Sequence, residues 1–302
     1  MSLMRWRTAG PAIAVSVLMG CATTVPYVGQ GPHPQIERGR PNIVIDTLGN
    51  ILAIWPKILL LDSRFANHAI SAHTESYVVR FLDDHPKEVG HVVVRLNQYA
   101  PHKDLYRLIT NHQVAWPWRA TLGLLSTLIG EVLLPGRILP FGDHYNPWTD
   151  TVQLYSDHPA VSLHELGHAY DFGKRRFKGT YAFIRAVPFV DLYQEAEASG
   201  TAIDYLIQIQ DREAELEAYK ILTPAYGSYI GRYLLGPFNF VAIGVGHLFG
   251  QGVALYRGHR YQQEDTLPAS TVTPEKPAPS SPPAPNPTVP LPEAHTSSPK
   301  PQ

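Results

Sequence analysis

Cysteine is almost absent from this chain: a single residue, Cys21, stands among 302. One cysteine cannot close a disulfide within its own chain, so a small stapled framework is excluded. Charge of one sign is lacking too. Lys and Arg total 25 against 26 acidic residues, a formal charge of −1. This balance argues against nucleic acid as a partner, because such proteins need a basic face to offset phosphate charge. No internal repeat is present. What is there is ordinary for a globular protein: 44% of the residues are hydrophobic, and the middle of the chain is long enough to bury one sizeable core.

The two ends differ from that middle. Arg5 and Arg7 precede an apolar run from Ala12 to Met19 that is too short to span a bilayer, the pattern of an export signal over residues 1–20. The run ends in Leu18-Met19-Gly20-Cys21, which resembles the lipobox of bacterial lipoproteins. The resemblance implies cleavage before Cys21 and acylation of that cysteine, with Ala22 rather than Asp favouring the outer membrane. A lipid anchor of this kind is firm, since each buried methylene contributes about 0.8 kcal/mol. The expected location is therefore the bacterial cell envelope, lipid-anchored at the outer membrane and facing the periplasm. Residues 21–40 are rich in Pro, Gly and Gln and read as a tether. Residues 263–302 hold 12 of the 28 prolines and few large apolar side chains. They read as a disordered tail that cannot bury enough surface to offset its ordering entropy.

A folded domain is expected over 41–262. Ile43 to Leu61 predicts a helix bent near Pro56. Ser76 to Leu82 and His91 to Leu96 are β-branched runs that predict a hairpin. Leu105 to Leu134 has helical character interrupted by Trp116-Pro117-Trp118, whose tryptophans, with Trp148, read as packing aromatics. Thr151 to Tyr155 alternates like a strand, Pro159 opens a helix, and Asp191 to Leu222 predicts two helices divided at Ser199-Gly200. Phe238 to Leu255 is apolar but carries Asn239, His247, Gln251 and several glycines, and it reads as a buried glycine-rich segment more readily than as a spanning helix. Strands first and helices after is an α+β order.

His164-Glu165-Leu166-Gly167-His168 carries the chemistry. On a helix, residues four apart lie about 40° apart around the axis and one turn above each other. Two imidazoles so placed can meet one Zn²⁺ ion at about 2.0–2.1 Å each. Glu165 lies on the adjoining side, where its carboxylate can take a proton from water, and Gly167 permits close backbone approach behind the metal. Catalytic zinc needs a third protein ligand. Asp171 and Lys174 stand where a metzincin would place glycine and histidine, which excludes that class. Among the downstream acids, Glu213 fits best, with Glu217 four residues on along the same helical face. Glu217 and Glu195 remain alternatives as the ligand. Asp171, three after His168, could orient a histidine or cap the helix end.

His164, Glu165, His168, Glu213 and Glu217 together resemble the gluzincins over Val152 to Glu217. The resemblance implies a zincin-like fold: a small mixed sheet, the active-site helix, then a helical C-terminal half. It implies hydrolysis of a peptide or protein substrate through a zinc-activated water, with Glu165 as general base and Glu217 supporting a ligand histidine. It also implies that the strand Thr151–Tyr155 is an edge that pairs with substrate. A donor to the oxyanion is needed as well. Tyr226 ranks first, ahead of Tyr229, His144, Tyr145 and His247. The rival expectation is a non-catalytic envelope scaffold of the same fold.

Overall fold

Among the described residues only short segments are extended, and they build one small sheet under a helical majority. The computed structural model describes residues 33–134, 136–140 and 142–266. The expected signal peptide, Cys21 and the tail beyond Thr266 lie outside the described residues. The chain divides into a unit running to Arg260 and a second unit from Tyr261.

Four strands, β1 (Ile36–Arg38), β2 (Val93–Leu96), β3 (His144–Asn146) and β4 (Thr151–Leu154), form a sheet in the order β1-β2-β4-β3. The first three in that order run parallel, and β3 is antiparallel on the outer side of β4. Val94, Leu96, Val152 and Leu154 are buried in the main core. β4 is therefore a central strand, with β2 and β3 on its two sides, and it offers no edge to a substrate. The free edge next to it belongs to β3. β1 also places the start of the fold before residue 40, inside the stretch read as tether.

The predicted hairpin is replaced by a helix and a parallel strand. Ser71 accepts a hydrogen bond from the Thr74 amide and opens α3 (Ala72–Asp84), after α1 (Ile43–Leu52) and α2 (Ile54–Leu60). Thr74, Glu75, Val78, Phe81 and Leu82 form its buried face, a helical spacing that overrides the strand preference of Tyr77-Val78-Val79. α1 and α2 meet at a bend of 48°, with the break at Ala53 and Pro56 in the first turn of α2. α4 (Pro86–Val89) and α5 (Pro101–Thr110) follow. Residues 116–133 form α6, in which α-helical turns alternate with π-helical ones. Trp116-Pro117-Trp118 starts that helix rather than interrupting one, since proline suits a first turn.

The described residues from Pro159 on are mainly helical: α7 (Pro159–Lys174), α8 (Lys178–Ile184), α9 (Val190–Gln208), α10 (Arg212–Leu234) and α11 (Asn239–Thr266). α9 runs unbroken through Ser199-Gly200. The break falls later, at Gln210 with φ 59°, where Asp211 caps α10 by accepting from the Ala214 amide. α11 is one helix and not a buried segment: of its most apolar 18-residue window, 22% is buried. Leu163 and Leu166 of α7, both fully buried, join the strand valines and leucines in a single core.

The start of α7 carries an acid-sensitive cap. His158 Nδ1 accepts from the Ala160 amide at 3.1 Å, and burial with the neighbouring Arg64 charge pushes this histidine down to about 4, against Glu217 and Asp62. A histidine depressed in the folded state contributes stability that is full above about 6.5 and lost as the pH falls toward 4. Thermal midpoints taken between pH 7 and pH 4 should therefore fall about 5 °C less in His158→Asn, which caps without charging, than in the native chain.

Candidate metal centre

The site begins with α7. His158 and Pro159 set its first turn, and most of its residues are buried between the sheet and the later helices. His164 and His168 project from one face, ring centroids 4.7 Å apart. α9 crosses that face where Gly167 lies against Ala198. A Cβ on Gly167 would stand 2.6 Å from the Ala198 carbonyl oxygen, so glycine is needed for this approach. Ala198 and Ala202 are fully buried along the same side of α9, and the stripe they form brings Glu195 to the histidines.

His164 Nε2 lies 3.1 Å from Glu195 Oε2, and His168 Nε2 lies 3.4 Å from Glu195 Oε1. One ligand atom from each of the three residues falls within 4.8 Å of the other two. Donors held at about 2.0–2.1 Å around one tetrahedral ion stand roughly 3.3 Å apart, so the two histidine–glutamate separations fit such an ion. The outer nitrogen of His164 is held too. Ser199 Oγ is 3.1 Å from His164 Nδ1, and Arg185 lies 3.3 Å from His168 Nδ1 while also donating to Glu195.

Electrostatics follow from burial. Burial disfavours the charge on Glu195, but His168 and His164 overcome it and hold the carboxyl well below the usual range. Burial likewise opposes charge on His164, yet Glu195 and Glu165 raise it. His168 is pulled down to about 4 by burial and the Arg185 charge, despite Glu195, so its ring is neutral at pH 7, as metal ligation requires. Glu165 is pushed up to about 7 by burial, with His164 pulling the other way and Glu195 adding to the push. A carboxyl balanced there can both take and return a proton.

A cavity of about 120 Å³ opens over these groups, lined by His164, Glu165, Glu195, Ser199, Tyr226 and Tyr229 on its polar side. That is room for a few waters. The rest of its wall is apolar, from Leu59, Leu60, Ile221, Leu222 and Ile243.

The other expected site residues lie elsewhere. Glu213 is exposed at the start of α10, two residues from the Asp211 cap, and is not brought to the histidines. Glu217 pairs with Arg64 at 2.7 Å rather than with a ligand histidine. The half of α10 that faces the site is its later half, where Tyr229 stands. Asp171 binds Arg175 and Tyr181 and so fastens the end of α7 to α8. Tyr226 lines the cavity, but its hydroxyl donates to the Leu192 carbonyl at 3.2 Å. Tyr229 instead lines the cavity with Glu195, and burial with the charges of Glu195 and Glu165 raises its pKa far above normal. The signal that could have found Glu195 is its spacing from Ser199, four residues along α9, beside the small residues Ala198 and Ala202.

No family model matches this chain, and comparison with curated proteins and with solved structures returns no match. Function is therefore argued from the site. Gly167→Ala should cost about 2 kcal/mol by overpacking, read as a lower urea midpoint, because Ala198 backbone cannot yield without moving α9. An unchanged midpoint would mean that the helices are not in close contact.

Proposed function

We propose that this protein is a zinc-dependent metallopeptidase in which His164, His168 and Glu195 hold the metal. The observation that carries the reading is the convergence of those three donors, two of which, His164 and Glu195, line one cavity together with Glu165. Two imidazoles and one carboxylate form a donor set used by catalytic zinc, with a fourth position left for water or substrate. Zinc bound there would supply a Lewis acid that acidifies water and polarises a carbonyl. Glu165, buried and balanced near neutrality, takes a proton from water and returns it to the leaving amine. Tyr229 holds its proton at all ordinary pH and offers the hydroxyl to the developing oxyanion. Ser199 orients His164 through Nδ1, and Arg185 keeps Glu195 in place. No covalent intermediate is needed.

The likeness to gluzincins is retained in kind and altered in position. The third ligand is a glutamate on a later helix, 27 residues after His168 instead of the 45 expected for Glu213. A zincin-like fold, a peptide or protein substrate, lipidation at Cys21 and an envelope location belong to the same proposal.

Arg185 favours a second reading. Its guanidinium donates to Glu195 and faces His168, so a salt-bridged cluster without metal would also be neutralised, as in a non-catalytic scaffold. Zinc content separates the two. The native chain should hold about one zinc, lost in His164→Ala and Glu195→Ala and kept in Glu213→Ala. Zinc retained in Glu195→Ala, or absent from the native chain after zinc is supplied, would sink the proposal. Glu165→Gln should keep its zinc and lose about 10²–10⁴-fold in peptide hydrolysis, measured against an unfolded protein substrate. Near-native hydrolysis in that variant would remove Glu165 from the mechanism.

A further inference from the structure

The later half of α10 and the first half of α11 form a hairpin whose outer surface is nearly free of charge; its exposed Arg232, just before the turn, is paired with Asp191 at 2.5 Å. From Tyr233 to Tyr256 the chain contains no Asp, Glu, Lys or Arg over 24 residues. A helix on the water-facing surface of a soluble domain normally turns charged residues outward. Here the outward residues are Phe238, Val245, Leu248 and Phe249, between 61% and 77% exposed. The stretch Gly236–Thr266 is long and apolar enough to cross a membrane, with a mean hydropathy of 1.4 in its best window.

The inner face of the hairpin accounts for the glycines. Gly227 lies against the Ala242 backbone, Gly246 against Pro224 and Gly250 against the Tyr219 carbonyl, each too close for a Cβ. Small residues four apart on facing helices allow this kind of backbone approach, which is common between helices in lipid. Beside them runs an apolar groove of about 460 Å³ that includes Tyr226, a residue shared with the cavity of the candidate site.

α1 and α2 extend the same face. His247 meets the Leu59 carbonyl at 2.8 Å, which joins α11 to the end of α2 and leaves the imidazole satisfied. Ile43, Val44, Trp55 and Leu61 are more than 60% exposed on α1, α2 and the residue that ends it. The two charged residues of this segment are partnered: Asp46 pairs with Arg137 at 2.7 Å, and Lys57 donates to Asn50 at 2.6 Å.

We propose that the α10–α11 hairpin and the adjoining α1–α2 surface insert into the lipid bilayer. The inserted part runs from the hairpin turn to about Phe249, seating the cavity at the membrane surface. Lipid suits this face better than a protein partner, whose interfaces carry a polar rim and about one hydrogen bond per 100–200 Å². Lipid tails ask for no hydrogen bonds and tolerate none unsatisfied. Exposed Gln251 marks where insertion stops, since a polar side chain in hydrocarbon is costly. The chain outside the described residues agrees: a lipid on Cys21 would leave the fold within about 40 Å of the bilayer, the reach of twelve extended residues.

The test is local depth in the full chain. Phe240→Cys and Leu248→Cys, each made with Cys21→Ser and labelled with an environment-sensitive fluorophore, are reconstituted with phosphatidylcholine–phosphatidylglycerol vesicles. Tyr106→Cys, on exposed α5, is the control, and helical circular dichroism checks the fold of all three. The hairpin probes should shift to the blue and lose most of their emission when the acyl chains carry a spin label, while the control does neither. Equal, water-like emission from all three would overturn the proposal, because an inserting face carries its probes into hydrocarbon even without the lipid on Cys21. A blue shift that spin-labelled lipid does not quench would also overturn it, since the cover would then be a second copy or another segment of the chain. None of these readouts depends on metal or hydrolysis, so the bilayer face stands or falls apart from the peptidase reading.

Discussion

Gly167 lying against the backbone of Ala198 is the contact on which the site depends. Two helices normally pack with axes 8–10 Å apart, set by the side chains between them. Removing the side chain on α7 and leaving only methyls on α9 lets the axes come closer, and the short Glu195 side chain then reaches both imidazoles. Farther along the same face of α9, about one turn beyond Ala202, Tyr205 and Leu206 anchor the helix in the main core.

That closeness has an electrostatic consequence. Glu195 is fully buried, and a buried carboxylate is tolerated only when paired. Its two oxygens are shared among His164, His168 and Arg185, with Tyr229 beside them. Glu165 shares the cavity but has no such partner, so the same burial lifts it instead of being overcome. Two glutamates within one pocket are thus driven to opposite ends of their range by their neighbours alone, the separation expected where one carboxylate binds and another moves protons.

The apolar wall of the cavity links this polar centre to the surface. Leu59, Leu60 and Ile243 line it and belong to the same helices whose outer faces carry exposed apolar side chains. α2 and α11 therefore have two apolar sides, one toward the pocket and one outward, which is why their sequences show no clear amphipathic period. Helices hydrophobic all round are found in large cores or in lipid.

Much of this was legible in the residues. His164, Glu165 and His168 sit together because helical geometry places residues four apart on one face, a local rule that tertiary structure did not alter. The start of α7 at Pro159 and the strand before it followed from local chemistry as well. Other readings failed where the deciding contact was not local. Ser76–Leu82 has strand-forming residues, but its buried face forms at helical spacing only against the core. Thr151–Leu154 could not be read as central rather than edge, because β2, the neighbour that covers its other side, comes from more than fifty residues earlier in the chain. Glu213 and Glu217 matched a spacing, yet spacing along a helix says nothing about which half of that helix faces the metal. The choice of Glu195 was made by the crossing of α7 and α9. A sequence states which side chains can bind and how a helix arrays them, whereas which distant helix meets that array is set by packing across the whole core.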